Sequence, residues 1–280
     1  MSENETQHKT LLGLTARWTA AVRAMESKRE DRLFNDPWAA VLAGEDGGSW
    51  IEGLPVEENN AISTILRTRF FDDFLLRVTH EHGMRQVVLI AAGLDTRTYR
   101  LAWPEQTRLF ELDQPQVLEY KEQILTAAGA KPSCERQAIA VDLTGPWTTV
   151  LQEAGFDPQQ PTAWLLEGFL IYLPPESGIR ILDDITAQSA PGSWFGFDVM
   201  NSVFLTSQWT HSLIEAMEKA GVSWQGAMDD PQGLLAERGW KATVSQMGED
   251  GLNFGRSPYP VLPPEIPGIP RYWLVTAQKQ

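Results

Sequence analysis

The sequence predicts an α/β fold, a mostly parallel β-sheet covered by helices on both faces. Three observations carry that expectation. From Gln86 onward, seven runs of strand length are mostly separated by helical segments, the pattern of parallel sheets built from crossover units. The stretch Gln86–Asp113, QVVLIAAGLDTRTYRLAWPEQTRLFELD, reads as strand, glycine turn, helix and second strand ending in an acid, half of a nucleotide-binding unit. Acids then recur at the carboxyl ends of successive strands, where their burial is costly unless something needs their oxygens.

Taken in order, the chain opens with MSENETQHKT, a polar stretch expected to be a flexible tail and lacking the apolar centre of a signal peptide. From Leu12 to Met25 a helical stripe runs through Trp18, Val22 and Met25. Asp36-Pro37 looks like an N-cap with proline at the first helical position, and Gly44 ends that short helix. Glu45 to Pro55, rich in glycine and acids, reads as a loop. A third helix follows Asn59-Asn60, with Ile62, Leu66, Phe70 and Phe74 along one face. Strands are expected at Gln86–Ala92, Arg108–Leu112, Arg136–Val141, Ala163–Glu167, Trp194–Val199, Thr243–Gln246 and Tyr272–Ala277. Helices are expected at Pro115–Ala128, Trp147–Ala154, Pro175–Ser189, Ser212–Ala220 and Pro231–Arg238. The proline-rich run Ser257 to Pro270 reads as an extended connector, since proline cannot join a central strand or a helix interior. The partition that follows is one domain over residues 1–280, with residues 1–80 as a helical cap and 200–238 as a lid insertion.

Composition narrows the function. Of 280 residues, 42% are hydrophobic and 21% charged, enough for a sizeable core. Lys plus Arg is 23 against 37 for Asp plus Glu, and a net charge of −14 repels phosphate backbones, so nucleic acid is not an expected partner. One cysteine, Cys134, allows neither an internal disulfide nor a cysteine-cluster zinc site, and no metal is expected. No apolar run approaches the roughly 20 residues of a membrane helix, and a soluble, cytoplasmic protein is expected.

In open α/β sheets, ligands bind outside the carboxyl ends of the strands. The first strand delivers Ala92, Gly93 and Asp95 there, and the second Glu111 and Asp113. The third brings Asp142 and Leu143, the fourth Glu167, Gly168, Phe169 and then Tyr172, and the fifth Asp198. Taken singly, Asp95 and Asp198 have helix capping as their plainer reading. Asp113 and Asp142 together offer one acid for a ribose diol and one for an adenine amino group, the needs of an adenosine ligand. A dinucleotide site wants GxGxxG to seat a pyrophosphate, whereas AAGLDT has one glycine and an acid that would repel it. S-adenosyl-L-methionine has no phosphate and carries cationic sulfonium and ammonium groups, so an acidic cleft suits it. A NAD or nucleotide enzyme stays as the alternative.

AISTILRTRFFDDFL, QVVLIAAGLDTRTYRL, FELDQPQVLEYK, VDL and LLEGFLIYLPPE, in this order, resemble the leucine carboxyl methyltransferase family. TARWTAAVRAMESKREDRLFNDPWAAVLAG and the closing RYWLVTAQ are similar to its bacterial branch of S-adenosyl-L-methionine-dependent O-methyltransferases, so the resemblance covers residues 12–278. It implies a class I methyltransferase (Rossmann-like) sheet of seven strands, the last antiparallel, under an N-terminal helical cap. It also implies that Asp113 holds the ribose, with Asp142 and Leu143 around the adenine. Ala92 and Gly93 pass under the methionine part and Glu167 meets its ammonium group. An arginine from the helix before the first strand binds a carboxylate of cofactor or substrate. Spacing to the glycine turn gives Arg67, with Arg69 second. Tyr172 matches a tyrosine at the substrate end. Ala91 stands where the eukaryotic members have glycine, which loosens backbone approach slightly.

Methyl transfer from a sulfonium is an in-line displacement, and the protein mainly aligns the partners. A carboxylate acceptor needs a cation to orient it, Arg67 or Arg23; a phenol or alcohol needs a base. Of the four histidines, only His211 falls in the lid, and a surface histidine starting a helix is its plainer reading. The plainer reading of Arg67 is an ion pair with Asp72, Asp73 or Glu58, and of Tyr172 a half-buried ring with its hydroxyl in water. Met200, Phe204, Trp209, Met217 and Trp224 lie in the lid and offer a floor for a large apolar or aromatic acceptor, with ordinary core under the helices as their plainer reading. The expected reaction is methylation of a carboxylate or a phenolic or alcoholic oxygen of a small molecule, and the resemblance implies secondary metabolism. A peptide or protein C-terminus is the other acceptor it allows.

Overall fold

The alternation of strands and helices becomes one seven-stranded sheet in a computed structural model describing residues 3–53, 58–257 and 260–280. The strands are β1 (Gln86–Ile90), β2 (Arg108–Asp113), β3 (Glu135–Ala140), β4 (Thr162–Leu166), β5 (Trp194–Met200), β6 (Trp240–Gln246) and β7 (Tyr272–Lys279). Their order is β3-β2-β1-β4-β5-β7-β6. β7 runs antiparallel to both of its neighbours and the other pairs are parallel. The sheet thus has the class I methyltransferase fold with a reversed last strand, as the resemblance implies, and strand bounds differ from expectation by three residues at most.

Why the sheet is buried on both faces is legible in β1, where every residue is buried. Val88 and Ile90 enter one core cluster and Val87 and Leu89 the other, because successive side chains point to opposite faces. The first cluster holds Trp147 and Trp164 edge to face, ring centroids 6.5 Å apart. The second is closed by Phe71, Phe74 and Leu75 of helix α3 (Glu58–His80).

Helix α1 (Glu3–Ser27) begins where a flexible tail is expected, so the polar opening residues extend the helix. Its buried face differs too. Met25 is 52% exposed, and contact is made through Val22 and the small residues Ala20, Ala21 and Ala24. Small side chains let α2 (Ala39–Gly53) approach closely. Gly44 turns the chain at φ 62°, as the expected stop, but helix resumes beyond it. At Gly47 a Cβ would lie 2.9 Å from the Arg17 carbonyl, so this glycine serves helix packing and not a loop. The end of the expected loop, 54–55, lies outside the described residues.

Beyond β1 come α4 (Arg97–Arg100), α5 (Pro115–Ala127), α6 (Trp147–Glu153), a 3-10 turn at Leu170–Tyr172 and α7 (Pro175–Ala187). Between β5 and β6 lie α8 (Ser202–Thr206), α9 (His211–Lys219) and α10 (Pro231–Ala236). The connector before β7 forms no helix or strand over its described residues. It is pinned by Arg271, which donates to the carbonyls of Leu262 (2.9 Å), Pro263 (2.6 Å) and Ile266 (2.9 Å). Arg256 ties it to α1 and the turn after it by donating to Glu26 and Asp31, both at 2.8 Å. Among the described residues no helix is long and apolar enough to cross a membrane.

Candidate active site

The site grows out of the turn after β1. The chain leaves the sheet through Ala91 at φ 52° and Gly93 at φ 51°. Glycine tolerates that conformation freely, whereas alanine at position 91 is held there at a cost of about 1 kcal/mol. The turn brings the Gly93 amide to Asp113 Oδ2 at 2.6 Å, while the Gln114 amide donates to Asp113 Oδ1 at 2.7 Å. Each carboxylate oxygen accepts one backbone bond and keeps capacity for another, which suits two ribose hydroxyls. Burial pushes the Asp113 carboxyl above its ordinary value, and the two amides and Lys121 pull it back only in part.

At the end of β4 Glu167 is gripped by two arginines. Arg67 Nε donates to Oε1 at 2.9 Å and Arg97 Nη1 to Oε2 at 2.6 Å. Arg67 also donates from Nη1 to Asp198 at 3.2 Å and to the Tyr272 hydroxyl at 2.9 Å, and that hydroxyl donates to Asp198. Burial raises the Asp198 carboxyl, opposed by Arg67 and Tyr272. Gly168 lies under the Arg67 guanidinium, where a Cβ would meet Nη2 at 2.9 Å, and its φ is 66°. Gly168→Ala is therefore expected to cost about 1–3 kcal/mol of stability in denaturant unfolding and to weaken the Arg67–Glu167 pair.

A cavity of about 380 Å³ opens over this floor. Arg67, Ala92, Gly93, Asp113, Asp142, Leu143, Glu167 and Tyr172, all expected at the site, line it together. Asp142 accepts from the Thr144 amide (2.9 Å) and hydroxyl (2.8 Å), and Leu143 is buried beside it. Burial pushes the Tyr172 phenol up, and Thr15 stands beside its hydroxyl.

His211 does not join them. It sits at the start of α9, 71% exposed, and pairs with Glu215 at 3.3 Å, so it belongs to the helix surface. Arg69 also lies outside, bonded to Asp73 (2.8 Å) and the Leu33 carbonyl (2.7 Å). Nor do the expected lid walls line the cavity. Met200 and Met217 are buried core, Trp209 is 62% exposed, and Phe204 packs against Trp224 with ring centroids 6.2 Å apart. The segment between β5 and β6 reaches the cavity through Gly221, Val222 and Ser223 instead. Asp72 pairs with Arg97 and Arg100, not with Arg67. Glu111 is sealed below the site with Lys121 and Arg136.

Asp95 differs from expectation as well. Burial would raise it, but Arg97 above all, with Lys121 and Arg100, lowers it to about 2. It is ionised but paired with Arg97, so its repulsion of a phosphate is largely cancelled, and the single glycine carries the case against a dinucleotide. Four arginines, Arg23, Arg67, Arg97 and Arg100, line the cavity. Only the first two are singled out by the sequence reasoning. Nothing in the sequence marks the others, because both reach Asp72 on α3, 25 and 28 residues away.

Strand order and the reversed β7 give the class I methyltransferase fold, with an acid-bearing cleft over β1, β2 and β4, and the relatives that share the sequence are named as S-adenosyl-L-methionine-dependent methyltransferases. The leucine carboxyl methyltransferase family model matches residues 16–186. A Mycolicibacterium smegmatis protein named "Putative S-adenosyl-L-methionine-dependent methyltransferase" is 40% identical over 265 residues, 88% of this chain and 89% of its own. A Streptomyces coelicolor protein of similar name is 41% identical over 259 residues, 89% of each chain. Among solved structures, a DUF574 family protein from Streptomyces avermitilis superposes with a TM-score of 0.62 at 14% identity, covering 95% of this chain and 97% of its own. Magnesium protoporphyrin IX methyltransferase from Synechocystis, solved with bound S-adenosylhomocysteine (SAH), gives a TM-score of 0.50 at 10% identity, covering 85% and 94%. The chain belongs to the leucine carboxyl methyltransferase family.

Proposed function

We propose that this protein is an O-methyltransferase that transfers the methyl group of S-adenosyl-L-methionine to a small-molecule carboxylate. One observation carries the cofactor half of the reading: Asp113 and Glu167, each with its oxygens fixed by named donors, face one cavity across the Gly93 turn. The donor set suits the ligand. Asp113 accepts from the ribose diol, Asp142 and Leu143 flank the adenine, and Glu167 faces the ammonium group. Bound S-adenosyl-L-methionine supplies an electrophilic methyl group on a good leaving group.

The acceptor end lies between α1 and the segment after α9, where Thr15, Thr19, Phe169, Tyr172, Val222 and Ser223 line the cavity. No histidine is among the described lining residues, which favours an acceptor that is already ionised and needs no base. We assign Arg23, which lines the cavity, as the cation that orients it. Its Nε donates to Asp36 at 2.8 Å and Nη2 to the Leu94 carbonyl at 2.6 Å, two of five N–H groups on a fixed fork. We assign residues 1–80 as the cap over this end and 200–238 as its lid, and place the enzyme in small-molecule metabolism of the cytoplasm.

Asp113→Ala tests the cofactor half. SAH affinity should fall by about 2–3 kcal/mol in calorimetric titration, the worth of hydrogen bonds to a charged group. An unchanged affinity places the ribose elsewhere. Labelled methyl transfer to a panel of carboxylic acids and phenols tests the acceptor. A methyl ester releases methanol in base and an aryl ether does not, so base-stable product rejects the carboxylate.

A further inference from the structure

Arg97 has no role in the site as sequence reasoning describes it, yet it makes more side-chain bonds than any other residue there. It opens a helix of four residues and is 2% exposed. Nε donates to Asp72 at 2.7 Å, Nη1 to Glu167 at 2.6 Å and also to Asp95, and Nη2 to the Thr68 carbonyl at 3.2 Å. Its amide donates to Asp95 at 2.6 Å, and its carbonyl accepts from Trp103 Nε1 at 2.9 Å. One guanidinium therefore joins α3, the glycine turn and the end of β4. Among Arg97's hydrogen bonds none goes to Asp113, whose partners are the Gly93 and Gln114 amides.

We propose that Arg97 is a positioning residue for the amino-acid end of the cofactor, holding Glu167 and Asp95 in fixed orientation without itself binding the adenosine. The inference rests on the S-adenosyl-L-methionine reading of the cavity. Two carboxylates meeting at one nitrogen would repel each other without it, and Glu167 would keep only the Arg67 contact on its other oxygen. A lysine offers one point charge and cannot span three acids and a carbonyl in a plane, so the arrangement is specific to arginine.

The test compares two ligands that share the adenosine and differ in the amino-acid tail: SAH and 5′-methylthioadenosine. Calorimetric titration of wild type, Arg97→Gln, Arg97→Lys and Glu167→Gln reads both affinities. In Arg97→Gln the SAH dissociation constant should rise by about 10–30-fold, as for one or two lost charge-assisted contacts, with methylthioadenosine unchanged within about twofold. Arg97→Lys should show a smaller loss of the same selectivity and stands in if the glutamine variant fails to fold. Adding Glu167→Gln to Arg97→Gln should cost less than the sum of the single losses, because both act on one group. Equal weakening of both ligands, as from general loosening, overturns the proposal, and so does no change in either. Wild type that binds neither ligand overturns the cofactor reading itself, which separates the two failures.

Discussion

Arg67→Ala is expected to remove about 3–5 kcal/mol of folding stability and most of the affinity for SAH. Breaking a buried pair leaves an uncompensated charge, which is why the loss exceeds the net worth of the pair. Three groups depend on this one side chain. Glu167 loses the donor on Oε1, Asp198 loses its cation, and the Tyr272 hydroxyl keeps only its bond to Asp198. Asp198 is fully buried, so protonation is its remaining way out, and that withdraws a fixed negative charge from behind the site. Chemical denaturation followed by fluorescence measures the stability loss, and Arg67→Lys should recover part of it. A loss below about 1 kcal/mol would reduce the network to a solvated surface pairing.

Acidification should first weaken cofactor binding and then unfold the protein. Asp95 sits at about 2 against an ordinary 3.8, and Asp36 and Glu111 are lowered too, each because its cations outweigh burial. A carboxyl lowered in the folded state contributes stability that is present above its unfolded value and lost as pH falls through the folded one. For Asp95 that window runs from 3.8 down to about 2, worth on the order of 2 kcal/mol. Asp113 has the opposite sign: burial raises it, so it takes up a proton above its ordinary value and gives up an acceptor that the proposed ribose contact requires. Affinity for SAH should therefore decline at a pH where the melting temperature still holds. Thermal melts and titrations over the same pH series test the order. Loss of fold before loss of binding would contradict it.

The sheet was legible because its strands announce themselves twice, by buried apolar runs and by the acids at their ends. β1 is VVLI in sequence and buried throughout in three dimensions. The helices of the cap were less legible. Glycine near Gly47 reads as a loop in one dimension, and only the closeness of α1 shows it to be a packing contact. The cavity acids are predictable because strand ends are, and Arg67 and Arg23 stand out with them, but Arg97 and Arg100 do not. Arg97 and Arg100 follow a turn and reach acids 25 and 28 residues away, a pairing that no spacing rule contains. His211 and the lid aromatics failed for a related reason. Chain position between β5 and β6 puts a residue near the carboxyl end of the sheet, but the direction of α9 decides which face meets the cavity. Tyr272, on the last strand, reaches Asp198 only because β7 inserts antiparallel beside β5, where Met200 faces Tyr272 in register.

On the proposed function, the Gly93 turn and Asp113 hold a phosphate-free adenosine ligand. Calorimetric titration of the wild-type chain with SAH and, separately, with NAD tests it most directly. Saturable binding of SAH that Asp113→Ala weakens, with no binding of NAD, is the predicted result. Binding of NAD without SAH would contradict it.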